Sequence, residues 1–167
     1  MSQVMKKLPC IRLFEVICLI FFAIWSGTSF ADNEKIGSAR LFEDSTGARL
    51  SIAPIGESAD KNYLVMFENF NHEWDGKVIL HHFDDSTDNK KYLIKIETGK
   101  KLRPYKTFAT IVDSGKITLV NGSIVPVVDV YLPGKSGRQT LVQSRVDRET
   151  AEKMLTLFKS QKFQVTF

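Results

Sequence analysis

The chain has 167 residues, 25% of them charged and 43% hydrophobic, a formal net charge of +4 and two cysteines. That length suits a single domain with one core. Both cysteines, Cys10 and Cys18, lie ahead of the expected mature domain, which excludes thiol nucleophiles, thiolate metal sites and disulfide exchange from its chemistry.

Residues 1–31 read as a secretory signal peptide. Lys6, Lys7 and Arg12 supply a basic start, Val16 to Trp25 an apolar run, and Ser29 and Ala31 of Ser29-Phe30-Ala31 the small residues that a signal peptidase inspects. The apolar run is too short for a spanning helix, which needs about 20 such residues. Cleavage after Ala31 predicts a mature domain of residues 32–167, periplasmic or secreted and with no integral membrane insertion. Losing three basic residues and one acid lowers the net charge to +2, so no global case for nucleic-acid binding remains.

The mature pattern is mostly period two. Ala39 to Phe42 and Ala48 to Ile52 read as a first pair of strands around Asp44-Ser45-Thr46-Gly47, and Gly56 to Asn62 as a loop. Tyr63 to Phe70 and Lys77 to Phe83 read as a hairpin with Asp75-Gly76 as a two-residue turn. Asp84 to Asn89 is a polar turn. Lys91 to Ile96 alternates as a strand, Thr98 to Pro104 reads as a basic loop, and Tyr105 to Val112 as a further strand. Asn121-Gly122 signals a second hairpin between Lys116 to Val120 and Ser123 to Leu132, with Pro126 marking an edge or bulge. Gln139 to Val146 completes the strand pattern.

Only one segment has helical period. Ala151, Met154, Leu155 and Phe158 share a face, Asp147 suits an N-cap and Glu149 the first turn, which predicts a helix over about 148–161. Phe163, Val165 and Phe167 alternate again and read as a short final strand. Their pattern resembles the closing strand of outer-membrane barrels, but a spanning strand needs about 9–11 residues. The expected fold is mainly β with nine or ten strands: a single-domain antiparallel sandwich or small barrel with one C-terminal helix.

No catalytic signature stands out, and no cofactor is expected. On the expected hairpin, His72 and His81 fall on one face at the diagonal position, about 7–8 Å apart, which makes them a candidate metal pair. Asp84, Ser86 and Asp88 open like a calcium loop, but Asn89 and Lys95 stand where glycine and a bidentate acid belong. Lys90 to Lys106 holds seven basic residues against Glu97 alone. Lys100, Lys101, Arg103 and Tyr105 form the candidate binding surface, suited to an acidic protein partner. The expectation is therefore a binding module: an inhibitor, an immunity-type protein or an envelope accessory factor. The alternatives are an envelope-polymer hydrolase whose carboxylates or histidines assemble in space, and a small-ligand carrier with an apolar barrel pocket.

Overall fold

Alternating apolar residues along eight strands close into one sheet. The computed structural model describes residues 34–98 and 101–162, with side chains over 34–94 and 109–162. Strands β1 (Ala39–Glu43), β2 (Arg49–Ile55), β3 (Asn62–Glu68), β4 (Val78–Asp84), β5 (Lys91–Thr98), β6 (Lys101–Thr118), β7 (Ile124–Val130) and β8 (Gln139–Asp147) form a closed antiparallel barrel in sequence order. Every neighbour in the sheet is a neighbour in the chain except β1 and β8, which close it through Ala39↔Asp147 to Glu43↔Val142. Of the two expected architectures, the barrel is the one formed.

Alternation sorts the apolar residues into two layers. Phe42, Leu50, Ile52, Val65, Phe67, Ile79, Ile94, Ile111, Val128 and Leu141 point inward and pack against one another. An eight-stranded barrel is just wide enough to be filled by such side chains. Leu41, Ala53, Ile55, Leu64, Met66, Val78 and Leu80 point outward, where an exposed sheet face would normally be polar.

A helix covers that outer layer. Helix α1 (Arg148–Ser160) lays Ala151 and Met154, both fully buried, against strands β1 to β4. Asp147 caps it by accepting from the Thr150 N–H at 3.0 Å. After its last turn the Gln161 side chain accepts from the Val78 N–H at 3.1 Å and donates to the Val78 carbonyl. This satisfies a stretch of β4 that β5 does not reach, since their pairing begins at His81↔Ile94. No helix among the described residues is long and apolar enough to cross a membrane.

Three sequence expectations change. Eight strands are present among the described residues, and the final strand expected at Phe163 to Phe167 lies outside them. The basic loop and the two strands expected between Thr98 and Val120 are one strand, β6, of 18 residues. Pro104 does not break it and stands opposite Lys95. Gly115, with φ 89°, sits at a bulge between Asp113 and Lys116, so the chain continues rather than turning. Finally, Asp75-Gly76 is not a two-residue hairpin turn. β3 pairs with β4 only as far as Met66↔Val78, and the connection folds back so that Phe70 and Trp74 enter the core.

The barrel is strongly staggered at β6. Its first part pairs with β5 as far as Lys91↔Val112, and its last part pairs with β7 as far as Thr118↔Ile124. The Asp113 N–H still donates to the Lys90 carbonyl at 2.9 Å, and beyond it the β6–β7 hairpin continues as a two-stranded ribbon. Asp129 ties its root to β8. This carboxylate is 6% exposed and accepts from Ser114 Oγ at 2.7 Å, from Thr140 Oγ1 and from Arg138 at 3.2 Å. Burial pulls its pKa upward, but the bonds from Thr140 and Ser114 and the Arg138 charge prevail, holding it below the usual carboxylate value. Replacing Asp129 with alanine leaves two hydroxyls and a guanidinium without their acceptor. Urea denaturation should show a loss of about 2 kcal/mol, and an unchanged midpoint would refute the tie.

Candidate functional site

The two ends of the barrel differ. The lower end carries the β1–β2 turn and the β3–β4 and β7–β8 connections. The upper end carries the β2–β3 and β4–β5 connections and the β6–β7 ribbon.

Side chains plug the lower end. The Asp75 carboxylate accepts from the backbone N–H groups of Phe70 at 3.0 Å and His72 at 3.2 Å, and the Gly76 N–H donates to the Phe67 carbonyl at 2.8 Å. Asn69 and Asn71 adopt positive φ in the same loop, a conformation asparagine tolerates better than most residues. These constraints drive Trp74 beneath Phe67, ring centroids 5.8 Å apart, and leave it 1% exposed. Beside the plug a cleft of ≈ 170 Å³ opens among Phe70, Leu132, Lys135 and Arg138. Small-molecule sites are usually about 300 Å³ or larger.

The histidine pair does not take the arrangement expected of it. His72 lies in the loop after β3, not on a strand, because the chain leaves the ladder to bury Trp74. Its Nδ1 accepts from the Trp74 N–H at 3.2 Å, and its Nε2 donates to the Pro133 carbonyl at 3.0 Å. His81 points into the barrel and is fully buried. Its Nδ1 donates to the Ile79 carbonyl at 3.0 Å, which leaves the neutral ring's Nε2 to accept from Thr110 Oγ1 at 2.8 Å. Each ring thus gives both nitrogens to protein partners. Among the described residues no group of three or more His, Cys, Asp or Glu side chains could hold a metal ion. Asp84, from the calcium-like spacing, accepts from the N–H of Ser86 at 3.0 Å and its Oγ at 2.6 Å, closing a local turn.

Of the candidate binding residues, Lys100 lies outside the described residues. Lys101, Arg103 and Tyr105 lie on β6, with Lys101 opposite Thr98 and Arg103 opposite Ile96. Lys101 and Arg103 thus belong to a strand where the sequence suggested a basic loop, and Tyr105 lies on a strand as expected.

The upper end is polar in part. Arg40 shares the inner face of β1 with Phe42, and its guanidinium carbon lies 5.8 Å from the Phe42 ring centroid. It crosses the barrel to donate to the Tyr92 hydroxyl. Tyr63, Phe83 and Tyr92 form a three-ring cluster with centroids 4.8–5.9 Å apart, and Tyr63 and Phe83 are half-buried. Burial pushes the Tyr92 hydroxyl up to about 12, against the opposing influence of Arg40, so it stays protonated at neutral pH. Gln143, opposite Phe42 on β8, has a buried Oε1 without a hydrogen-bond partner among the described residues.

No protein-family model matches this chain, and no curated protein or solved structure does either. Its function therefore has to be argued from its own surfaces.

The most unusual of these is the β6–β7 ribbon above the upper end. Ile117, Val120 and Ile124 are 41%, 110% and 67% exposed, three of the five exposed large hydrophobic residues among those described. The tip is well defined: the Leu119 N–H donates to the Ser123 carbonyl at 2.8 Å, and the Gly122 N–H to the Leu119 carbonyl at 2.9 Å. A two-stranded ribbon is only marginally stable alone. This one is held by the barrel at its root, which leaves its apolar side chains free for contact. Sequence reading found the hairpin through Asn121-Gly122 but not its exposure. The signal that could have revealed it is the density of Ile and Val on both arms where only one face can be buried.

Proposed function

We propose that this protein is an exported binding module that engages a protein partner in the periplasm or outside the cell, as an inhibitor, an immunity-type protein or an envelope accessory factor does. The observation that carries the reading is the projecting β6–β7 ribbon, with Ile117 and Ile124 exposed on its opposite faces and Val120 exposed at its tip. Apolar side chains exposed on a projection cost solubility, and three of them along one short ribbon favour a contact surface that grips it from both faces. Beyond Asp113, whose N–H still donates to the Lys90 carbonyl at 2.9 Å, β6 has no partner on its β5 side among the described pairings, so the ribbon also offers main-chain groups to an extended segment of the partner. Export is supported by the basic, apolar and small-residue sequence of residues 1–31.

The test compares two sets of substitutions in the exported protein as it is purified from the cell envelope. Ile117→Lys with Ile124→Lys should reduce recovery of a co-purifying partner at least about tenfold, the size expected when interface anchors are lost. Both positions are exposed, so the melting temperature should hold. Reversal of Lys100, Lys101 and Arg103 to glutamate examines the basic segment separately. That change should slow association in low salt and matter less in high salt. Undiminished recovery with the lysine pair would remove the ribbon from the binding face.

A further inference from the structure

The upper end of the barrel carries a second arrangement, independent of the ribbon's apolar side chains. Arg40 brings a full positive charge to the inner face, and none of the ion pairs among the described residues involves it. A guanidinium has five N–H donors, and Tyr92 accepts from one nitrogen. Because Tyr92 accepts there, its own O–H remains available to donate. Arg40 and Tyr92 together therefore present donors, and a charge, to one region.

Two further observations narrow the ligand. Tyr63 and Phe83 are half-buried beside Tyr92, so apolar ring surface adjoins the charge. The Gln143 Oε1 is a buried acceptor to which none of the described residues donates. Leaving such a group unsatisfied is unfavourable, and a ligand hydroxyl would satisfy it. Asp113 acts on Tyr92 electrostatically, as a negative neighbour of the same region. One cation and a nearby carboxylate favour a monoanion over a phosphate dianion.

We propose that Arg40, Tyr92 and Gln143, with the rings of Tyr63 and Phe83, form a binding site for a small hydroxylated aromatic carboxylate. Its carboxylate meets Arg40 and the Tyr92 hydroxyl. Its ring lies against Tyr63 and Phe83, and its hydroxyl donates to Gln143. The barrel interior below is filled by Phe42, Ile94 and Ile111, so the ligand rests at the rim instead of entering a deep apolar pocket.

The experiment is calorimetric titration of the full protein with four probes: 4-hydroxyphenylacetate, phenylacetate, 4-hydroxybenzyl alcohol and inorganic phosphate. Saturable binding is expected for the two carboxylates, with the hydroxylated one tighter, and none for the alcohol or phosphate. Arg40→Gln should weaken 4-hydroxyphenylacetate at least about tenfold, the size of a lost charge-assisted hydrogen bond. Tyr92→Phe keeps the ring and should weaken it about threefold or more. This variant decides the matter if Arg40→Gln does not fold. Gln143→Leu should make the two carboxylates bind equally. No saturation by either carboxylate up to about 10 mM, equal binding of the neutral alcohol, or tighter binding of phosphate would overturn the site. None of these outcomes bears on partner recovery through Ile117 and Ile124.

Discussion

Replacing Trp74 with alanine should destabilise the barrel by about 3–5 kcal/mol, the usual cost of removing a buried tryptophan or phenylalanine ring. Trp74 is 1% exposed and is the largest of the fully buried side chains. It contacts Phe67 at 5.8 Å and meets His72 edge-on at 5.0 Å between ring centroids. Its indole is the floor on which the inner cluster rests. Alanine would leave a void that the loop cannot fill, because the Asp75 carboxylate holds Phe70 and His72 in place. Trp74→Phe should recover more than half of the loss. Urea denaturation of the two variants checks this, and a loss below about 1 kcal/mol for alanine would mean that the lower end is not plugged by this ring.

The second large effect is a dependence on pH. Burial lowers the His81 pKa from 6.5 to about 4, although the bond to the Ile79 carbonyl works the other way. The unfolded chain therefore takes up a proton as pH falls below about 6.5, and the native state resists until about 4. Stability from this residue is fully present above the unfolded pKa. It declines by up to about 1.4 kcal/mol per pH unit, reaching a loss of about 3 kcal/mol near pH 4. Between pH 7.5 and 5 the expected loss is about 2 kcal/mol. Asp44, Asp85, Asp129 and Asp147 have pKa values below the usual 3.8, so their contributions fade only under more acid conditions. Denaturation midpoints at pH 7.5 and 5 test the assignment. His81→Gln should flatten the difference, and a wild-type protein equally stable at both pH values would contradict a neutral buried ring.

Much of the fold was legible where one physical rule acted alone. The apolar stripe of Ala151, Met154, Leu155 and Phe158, with Asp147 before it, located helix α1 almost to the residue. Strands β2 to β4 followed from alternation. The failures came where tertiary burial competed with local turn chemistry. Asp75-Gly76 has a strong turn sequence, and Gly76 does adopt φ 73°. Burying Phe70 and Trp74 nonetheless outweighs the two-residue turn that would have left them on a strand. Residues 113–115, which lie between two expected strands, form a bulge within one, because β6 finds β7 on its other side.

The rim site was not legible for a related reason. On β1, Ala39 and Leu41 alternate with Arg40 and Phe42, so neither set is plainly the inner one. Only the helix, covering Leu41 from outside, decides that Arg40 faces inward. The basic residues from Lys90 to Lys106 drew attention by number. Arg40 matters by being single and enclosed.

The order of strands also bears on when this molecule can exist at all. Seven of the eight pairings join chain neighbours, and such contacts form early because they close short loops. The eighth joins residues 39–43 to residues 142–147, and helix α1, which shields the outer layer of β1 to β4, follows it directly. A growing chain therefore has no means of sealing its first strand until almost all of it has been synthesised. Until then the meander keeps two open edges and an uncovered apolar face. Such a chain stays an open ribbon, and it becomes a closed ring only once its tail arrives.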